Sequence, residues 1–311
     1  MSASGPTEAQ PAFDGILNIY KERGWTSHDV VARVRRLARQ KRVGHAGTLD
    51  PAATGVLPIC LGQATRVVEY LGESGKSYRA TITFGIETNT YDTEGDVVAQ
   101  LPLPATLDQQ AIRDARPDFT GEIQQVPPMF SALKHAGKRL YDLARAGEVV
   151  ELAPRSVRID ALRIVAWDAP TLVLDVDCGK GTYIRSLAHD LGQRFGCGAH
   201  LAALERTRVG PFAVAQSITL AALASALADD TWQAHLAAPD EALLHLHTAI
   251  LGPASELRVR QGQSLPLPTP ATVPAALLRA YSTDGRFLAI LAHAEDAAWH
   301  PAKVFHLTPL E

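Results

Sequence analysis

Cysteine is scarce in this 311-residue chain, with only Cys60, Cys178 and Cys197. Three thiols cannot build a disulfide framework, and an odd number suits free cysteines in a reducing compartment. Long apolar runs are missing too: no stretch approaches the roughly 18 consecutive apolar residues of a membrane helix. The first ten residues have no basic flank followed by an apolar core, so no signal peptide is expected. A cytoplasmic protein is the expectation. Cofactor motifs are equally thin. GxxxxGK[ST] and HExxH are absent, and Gly62-Gln63-Ala64-Thr65 is no dinucleotide fingerprint. Cys197-Gly198-Ala199-His200 has ligand-like spacing but no second pair to complete a zinc site. No metal and no cofactor are expected. At this length one large domain or two unequal ones can bury a core without staples.

The net charge of −3 is a weak argument against a nucleic-acid partner, and it fails once the charge is mapped. Residues 15–80 carry +6 and residues 131–216 carry +3, offset by −2 over 1–14, −6 over 81–130 and −4 over 217–311. Between Lys21 and Arg42 there are eight Lys or Arg against Glu22 and Asp29. Attraction to phosphate is local, screened beyond about 10 Å, so such a cluster serves a polyanion whatever the total charge. The competing interpretation is a solvated helix face.

Residues 1–12 are small, polar and Pro-containing and read as a disordered tail. A helix is expected after the cap hydroxyls of Thr26–Ser27, with Val30, Val31, Val34 and Leu37 on one face. Tyr78–Phe84 and Leu172–Asp177 read as strands, and 106–116 as a short helix capped by Thr106. The Gly179-Lys180-Gly181 turn leads to a helix with an Ile184, Leu187, Ala188, Leu191 and Phe195 stripe, stopped by Gly196. Residues 217–250 read as helix. Short β segments are expected at 257–260, 276–282 and 287–293, the last two joined by an Asp284-Gly285 turn. This divides the chain into a tail at 1–12, a main domain at 13–250 and a small β-rich module at 251–311.

Three segments could carry chemistry. The densest runs from Gly44 to Gly55, reading GHAGTLDPAATG. Its glycines permit tight backbone and close approach to a ligand, while Pro51 stiffens Asp50. Such a loop presents a carboxylate, or else Asp50 merely caps turn amides. In the second, Cys178–Arg185, amides at a helix start beside Lys180 make a plausible anion site, with Tyr183 at its edge. Arg185 sits in the helix's first turn, unfavourable for a cation unless an acidic partner lies nearby. The third, residues 124–155, interleaves Phe130 and Tyr141 with Lys134, Lys138, Arg139 and Arg145. That mixture suits looped or single-stranded RNA, although a surface helix with snorkelling cations explains it as well.

At these residues the chain closely resembles the bacterial TruB family of tRNA pseudouridine-55 synthases. The matching segments are GWTSHDVV (24–31), VGHAGTLDPAATGVLPICLGQATR (43–66), KSYRATITFG (76–85), QVPPMFSALKHAGKRLYDLARAG (125–147), KGTYIRSLAHDLG (180–192) and GCGAHLAALER (196–206). They run in the family's order over most of residues 15–215. The resemblance implies an α+β fold: a mixed, mainly antiparallel sheet flanked by helices, plus a C-terminal PUA-like RNA-binding module. It implies that Asp50 is the catalytic aspartate, that Tyr78 stacks on the target base and that Arg185 pairs with the catalytic carboxylate. His45 would enter the RNA loop, Leu204 would line the uracil pocket and residues 124–155 would grip RNA. Lys21, Lys134, Lys180 and Tyr183 are further candidates for RNA contact. Departures from the family pattern are Glu22 after Lys21, Gly179 before Lys180, and Glu205 before Arg206.

The implied reaction isomerises the T-loop uridine at tRNA position 55, breaking N1–C1′ and rejoining the base through C5. It needs a nucleophile but no redox cofactor, ATP or metal. Asp50 would attack base C6 or ribose C1′; the residues do not choose between them. The implied partner is the tRNA T-arm, with no membrane and no obligate protein partner, and the implied state is a monomer. Two other readings are a guide-RNA-dependent synthase and an RNA-binding, tRNA-folding chaperone with secondary catalysis.

Overall fold

The computed structural model describes residues 13–130, 134–135, 138–140, 150–267, 277–294 and 298–307. The expected N-terminal tail and much of the 124–155 insertion, with the Lys134 side chain, lie outside the described residues. The chain opens with β1 (Gly15–Lys21), α1 (Ser27–Leu37), β2 (Val43–His45), β3 (Thr54–Leu61) and α2 (Val68–Glu73). It continues through β4 (Lys76–Phe84), β5 (Ile86–Thr88), β6 (Val97–Gln100), α3 (Gln109–Ala115) and β7 (Gly121–Gln125). The insertion shows two short strands, β8 (Lys134–His135) and β9 (Lys138–Arg139). Then follow β10 (Arg155–Asp168), β11 (Thr171–Cys178), α4 (Ile184–Arg194), β12 (Ala199–Val209), β13 (Phe212–Ala213) and β14 (Ile218–Thr219). The last elements are α5 (Leu220–Ala228), β15 (Leu236–Ala237), β16 (His247–Leu251), α6 (Pro253–Arg260), β17 (Leu277–Ser282), β18 (Phe287–His293) and β19 (Trp299–Val304).

An eleven-stranded sheet dominates, in the order β14-β1-β3-β12-β4-β11-β10-β7, with β2, β13 and β15 paired at its side. Only β1–β14 and β3–β12 run parallel within it. The expected mixed, mainly antiparallel α+β architecture is therefore what forms. Tyr78, Ala80, Ile82 and Phe84 alternate inward along β4 and meet Leu187, Ala188 and Leu191 of α4 in one core cluster. Val30, Val31 and Val34 of α1 pack on Leu17, Ile19 and Leu57 with Leu223 of α5 in a second. Thr26 caps α1 reciprocally: its hydroxyl accepts from the Asp29 amide at 3.1 Å while Asp29 Oδ2 accepts from the Thr26 amide at 3.0 Å.

A parallel β16–β17 pair continued by antiparallel β18 and β19 forms a separate four-stranded sheet. Its first strand begins at His247, ahead of the expected boundary at 251. The module does not hang loosely from the main domain. Phe287, Ile290 and Phe305 share a third cluster with Ile16, Val56, Cys60 and Phe212 of the large sheet. Arg66 lies 5.1 Å over the Phe305 ring and donates to the Val304 carbonyl, and Tyr281 donates to Asp240 at 2.6 Å.

Three expected elements differ. The helix expected over 106–116 spans Gln109–Ala115, and Asp108, not Thr106, accepts from the Ala111 amide. The stretch 217–250 forms one α-helix, Leu220–Ala228, which ends as Asp230 turns left-handed at φ 54°; short 3-10 turns at Trp232–His235 and Pro239–Leu243 follow, with β15 between them. Residues 257–260 lie inside α6, which Pro253 starts at the position where a missing amide costs nothing.

Because Phe305 is 1% exposed and bridges both sheets, Phe305→Ala should cost about 3–5 kcal/mol. Thermal unfolding of this variant should remain one transition at lower temperature. Two separated transitions would show that the small sheet folds independently of the large one.

Candidate active site

The sheet register brings three segments of the sequence together. Gly55 of β3 pairs with Arg206 of β12, and Arg206 in turn pairs with Tyr78 of β4. At the end of these strands lies the loop between β2 and β3 that carries Asp50. Gly55 has φ 104°, and a Cβ there would stand 2.3 Å from the Arg206 carbonyl oxygen, so only glycine fits the crossing.

This loop is held from three sides. The Arg206 guanidinium, 1% exposed, donates to the carbonyls of Val56 at 2.7 Å, Thr48 at 3.2 Å and Gly47 at 3.1 Å. The Ser27 hydroxyl, in the first turn of α1, accepts from the Leu49 amide at 2.9 Å. Lys21 is wholly buried, and its ammonium donates to the carbonyls of Trp25 at 2.8 Å, Pro51 at 3.2 Å and Glu22 at 3.2 Å. Burial pushes the Lys21 pKa down to about 8, against the pull of Asp50.

Asp50 faces outward from the loop, with 45% of its side chain exposed. Arg185, in the first turn of α4 and 10% exposed, places Nη2 3.1 Å from Asp50 Oδ2 and Nη1 3.4 Å from Asp92 Oδ2. It also donates to the Phe130 carbonyl at 3.0 Å. The two carboxylates differ in what remains free. Asp92 is buried and also accepts from the Thr90 hydroxyl at 2.6 Å and the Glu94 amide at 3.0 Å. Among the described residues Asp50 has only Arg185 on its carboxylate. One guanidinium thus joins a saturated, structural carboxylate to an open, accessible one. An aimed and accessible carboxylate of this kind can act as a nucleophile.

Tyr78 lies beside this group on β4, 8% exposed, and burial pushes its phenol above its ordinary range. Leu204, on β12 opposite Ala80, is half-buried against the same core cluster. His45 is half-buried on β2, edge-on to His28 at 5.4 Å. Its Nδ1 is buried without a hydrogen-bond partner, and burial holds its pKa below the usual imidazole value. Tyr183 caps α4, its amide donating to Gln125 Oε1 at 2.8 Å and its carbonyl accepting from Gln125 Nε2 at 3.0 Å. Lys180 is exposed and paired with Glu73. The structure thus gathers Asp50, Arg185, Tyr78, His45 and Leu204 around one loop. Lys21 is different: with its ammonium spent on three carbonyls, it braces the loop from beneath and presents no charge to a phosphate. Among the described residues no three His, Cys, Asp or Glu side chains converge as a metal site requires.

Sequence reasoning missed two residues. Arg185 signalled that an acidic partner was needed, but nothing in Thr90–Asp96 identified Asp92 as its second one. Arg206 entered the sequence reading only as the neighbour of Glu205, where the chain departs from the family pattern. Its inward register on β12 is a tertiary fact, since a strand's polar residues normally face out.

Residues 35–184 match the TruB family pseudouridylate synthase N-terminal domain, and residues 185–250 the tRNA pseudouridylate synthase B C-terminal domain. The chain belongs to the TruB family of pseudouridylate synthases. Within the family it is 44% identical to tRNA pseudouridine synthase B of Dehalococcoides mccartyi over 293 residues, 94% of this chain and 97% of that one. It is 45% identical to the protein of that name from Ralstonia nicotianae, covering 96% of each. Among solved structures the chain resembles one in a Cbf5–Nop10–Gar1 complex, with TM-score 0.75, 28% identity, and coverage of 94% of this chain and 85% of that one. The Asp50 loop lies inside the first family match; Arg185 opens the second.

The buried lysine yields a pH test. Above about pH 8 the folded protein releases a Lys21 proton that the unfolded chain keeps until about 10.5. The unfolded state then binds more protons, so the stability contributed at this position rises with pH. Urea unfolding of wild type and Lys21→Met should show their difference moving in favour of wild type from about pH 7.5 to about pH 10. A difference independent of pH would mean that the ammonium is solvated.

Proposed function

We propose that this chain is a tRNA pseudouridine synthase, an isomerase, that acts without guide RNA on the T-loop uridine at position 55. The observation that carries this reading is the open Asp50 carboxylate held by a buried guanidinium at the edge of a braced loop. The identity of 43–46% to relatives named tRNA pseudouridine synthase B favours the guide-independent form over a Cbf5-like one.

In this mechanism Asp50 attacks the extruded uridine either at ribose C1′, forming a C–O bond as N1 departs with the N1–C1′ pair, or at base C6, where the C5=C6 pair moves to the O4 enolate before the N1–C1′ bond breaks. The uracil rotates, and C5 bonds to C1′ as the C–O bond to Asp50 breaks. The C5 proton passes to solvent, and N1, freed from C1′, takes up a proton from solvent. Atoms and electrons balance with no external oxidant or reductant. Arg185 keeps the attacking oxygen aimed, and Asp92 keeps Arg185 in place. Tyr78 and Leu204 give the base an apolar wall, the aromatic ring stacking on its face. Flipping costs a few kcal/mol, which stacking and the entry of His45 into the vacated space offset.

Lys180, Tyr183 and the 124–155 insertion, with Lys134, would contact the T-arm, and the C-terminal sheet would act as a PUA-like RNA module. Among the described residues no helix is long and apolar enough to cross a membrane. That fits a cytoplasmic enzyme working on tRNA.

An isolated T-arm hairpin carrying 5-tritiated uridine should release tritium with this protein alone. Asp50→Asn should slow release at least about 10³-fold while hairpin affinity stays within about threefold. Retained turnover in the variant would remove Asp50 from the nucleophile role. Turnover that needs an added RNA would favour the guide-dependent reading.

A further inference from the structure

Asp92 is held by a loop with an unusual anchor. Tyr91, the preceding residue, sits at φ 64°, a region that bulky L residues rarely enter. Its ring lies flat on the His189 imidazole, with centroids 4.0 Å apart and planes 17° from parallel. His189 Nδ1 lies 3.1 Å from Glu87 Oε1, a close approach without hydrogen-bond geometry, and Glu87 Oε2 accepts from Gln193 Nε2 at 3.1 Å. His189 and Glu87 are only 19% and 18% exposed, so this polar group is largely withdrawn from water. The Tyr91 carbonyl accepts from the Leu201 amide at 2.9 Å, and its amide donates to the Thr88 carbonyl at 3.2 Å.

The arrangement runs parallel to the active-site ion pair. His189 follows Arg185 by four residues on α4, so both project from one helix face. Tyr91 and Asp92 are adjacent in the loop. The helix and loop are therefore joined by two rungs one turn apart, His189 to Tyr91 and Arg185 to Asp92. The first rung packs on the residue whose backbone is left-handed, and that residue is next in the chain to the carboxylate of the second rung.

We propose that Tyr91, His189 and Glu87 form a positioning unit that holds Asp92 against Arg185 and thereby fixes the aim of Asp50. None of the three touches the reacting carboxylate; they act through the loop. The inference rests on the functional reading above.

The test uses the full-length protein, tRNA carrying 5-tritiated uridine and single-turnover rates. Tyr91→Gly removes the ring while easing the left-handed backbone, and Tyr91→Phe keeps the ring. Tyr91→Gly and His189→Ala should slow the reaction about 3- to 30-fold. The tRNA dissociation constant should change by less than about twofold, and Tyr91→Phe should restore the wild-type rate. In an Asp92→Asn background Tyr91→Gly should cause no additional loss. If Tyr91→Gly does not accumulate as folded protein, His189→Ala carries the same comparison. Wild-type rates in both variants would overturn the proposal, as would a full loss persisting beside Asp92→Asn. A loss in affinity alone would overturn it too, by placing Tyr91 on the RNA. A wild-type protein that releases no tritium would instead refute the functional reading.

Discussion

A guanidinium that is nine-tenths withdrawn from water must be surrounded by acceptors, or its charge destabilises the fold. Arg185 meets that demand with carboxylates from two separate loops and with main-chain carbonyls. Its place in the first turn of α4 sharpens the requirement, since the helix end carries the same sign of partial charge. The result is a junction among the Asp50 loop, the Thr88–Asp96 loop and α4. Removing the cation would leave the buried Asp92 carboxylate without its counter-charge; removing Asp92 would leave Arg185 with Asp50 and main-chain carbonyls. The junction thus links folding of the site to the aim of its one open carboxylate.

The remaining braces follow a similar logic with carbonyls in place of carboxylates. Arg206 and Lys21 are both buried cations: Arg206 spends its donors on the Gly47, Thr48 and Val56 carbonyls, and Lys21 ties the Pro51 carbonyl to those of Glu22 and Trp25. A loop of glycine, small residues and proline has little side chain to pack, so hydrogen bonds from fixed cations supply its rigidity. Asp50 is thereby presented with its backbone restrained and its carboxylate exposed, the preorganisation that the proposed attack on a flipped base requires. The charge pattern has a related cause. Part of the positive charge over residues 15–80 is structural, as Lys21 shows, while the exposed cations of α1 remain available to solvent.

Much of the frame was legible in the sequence because it rests on local chemistry. The Thr26 cap, the alternating β4 and β11, the apolar stripe of α4 and the Asp284-Gly285 turn each carry their own signal. Residues 217–250 misled because alanine and leucine favour helix equally in short turns and long helices, and tertiary pairing recruited Leu236–Ala237 to β1. Asp50, Tyr78 and Arg185 were legible through motif resemblance; their convergence depends on strand register, which no short window encodes. Lys21 was read as a candidate RNA contact and Arg206 was given no role, because burial of a cation beneath a loop leaves no periodic trace. Asp92 was hidden for the opposite reason, lying in an acidic turn of ordinary composition.

The central claim is that Asp92 acts through Arg185. It is tested most directly by a double-mutant cycle on single-turnover rates, using Asp92→Asn, Arg185→Lys and the two combined. If the two side chains work as one unit, the double variant will be no slower than the slower single variant. Losses that multiply across the cycle would show that the two act separately and would contradict the account.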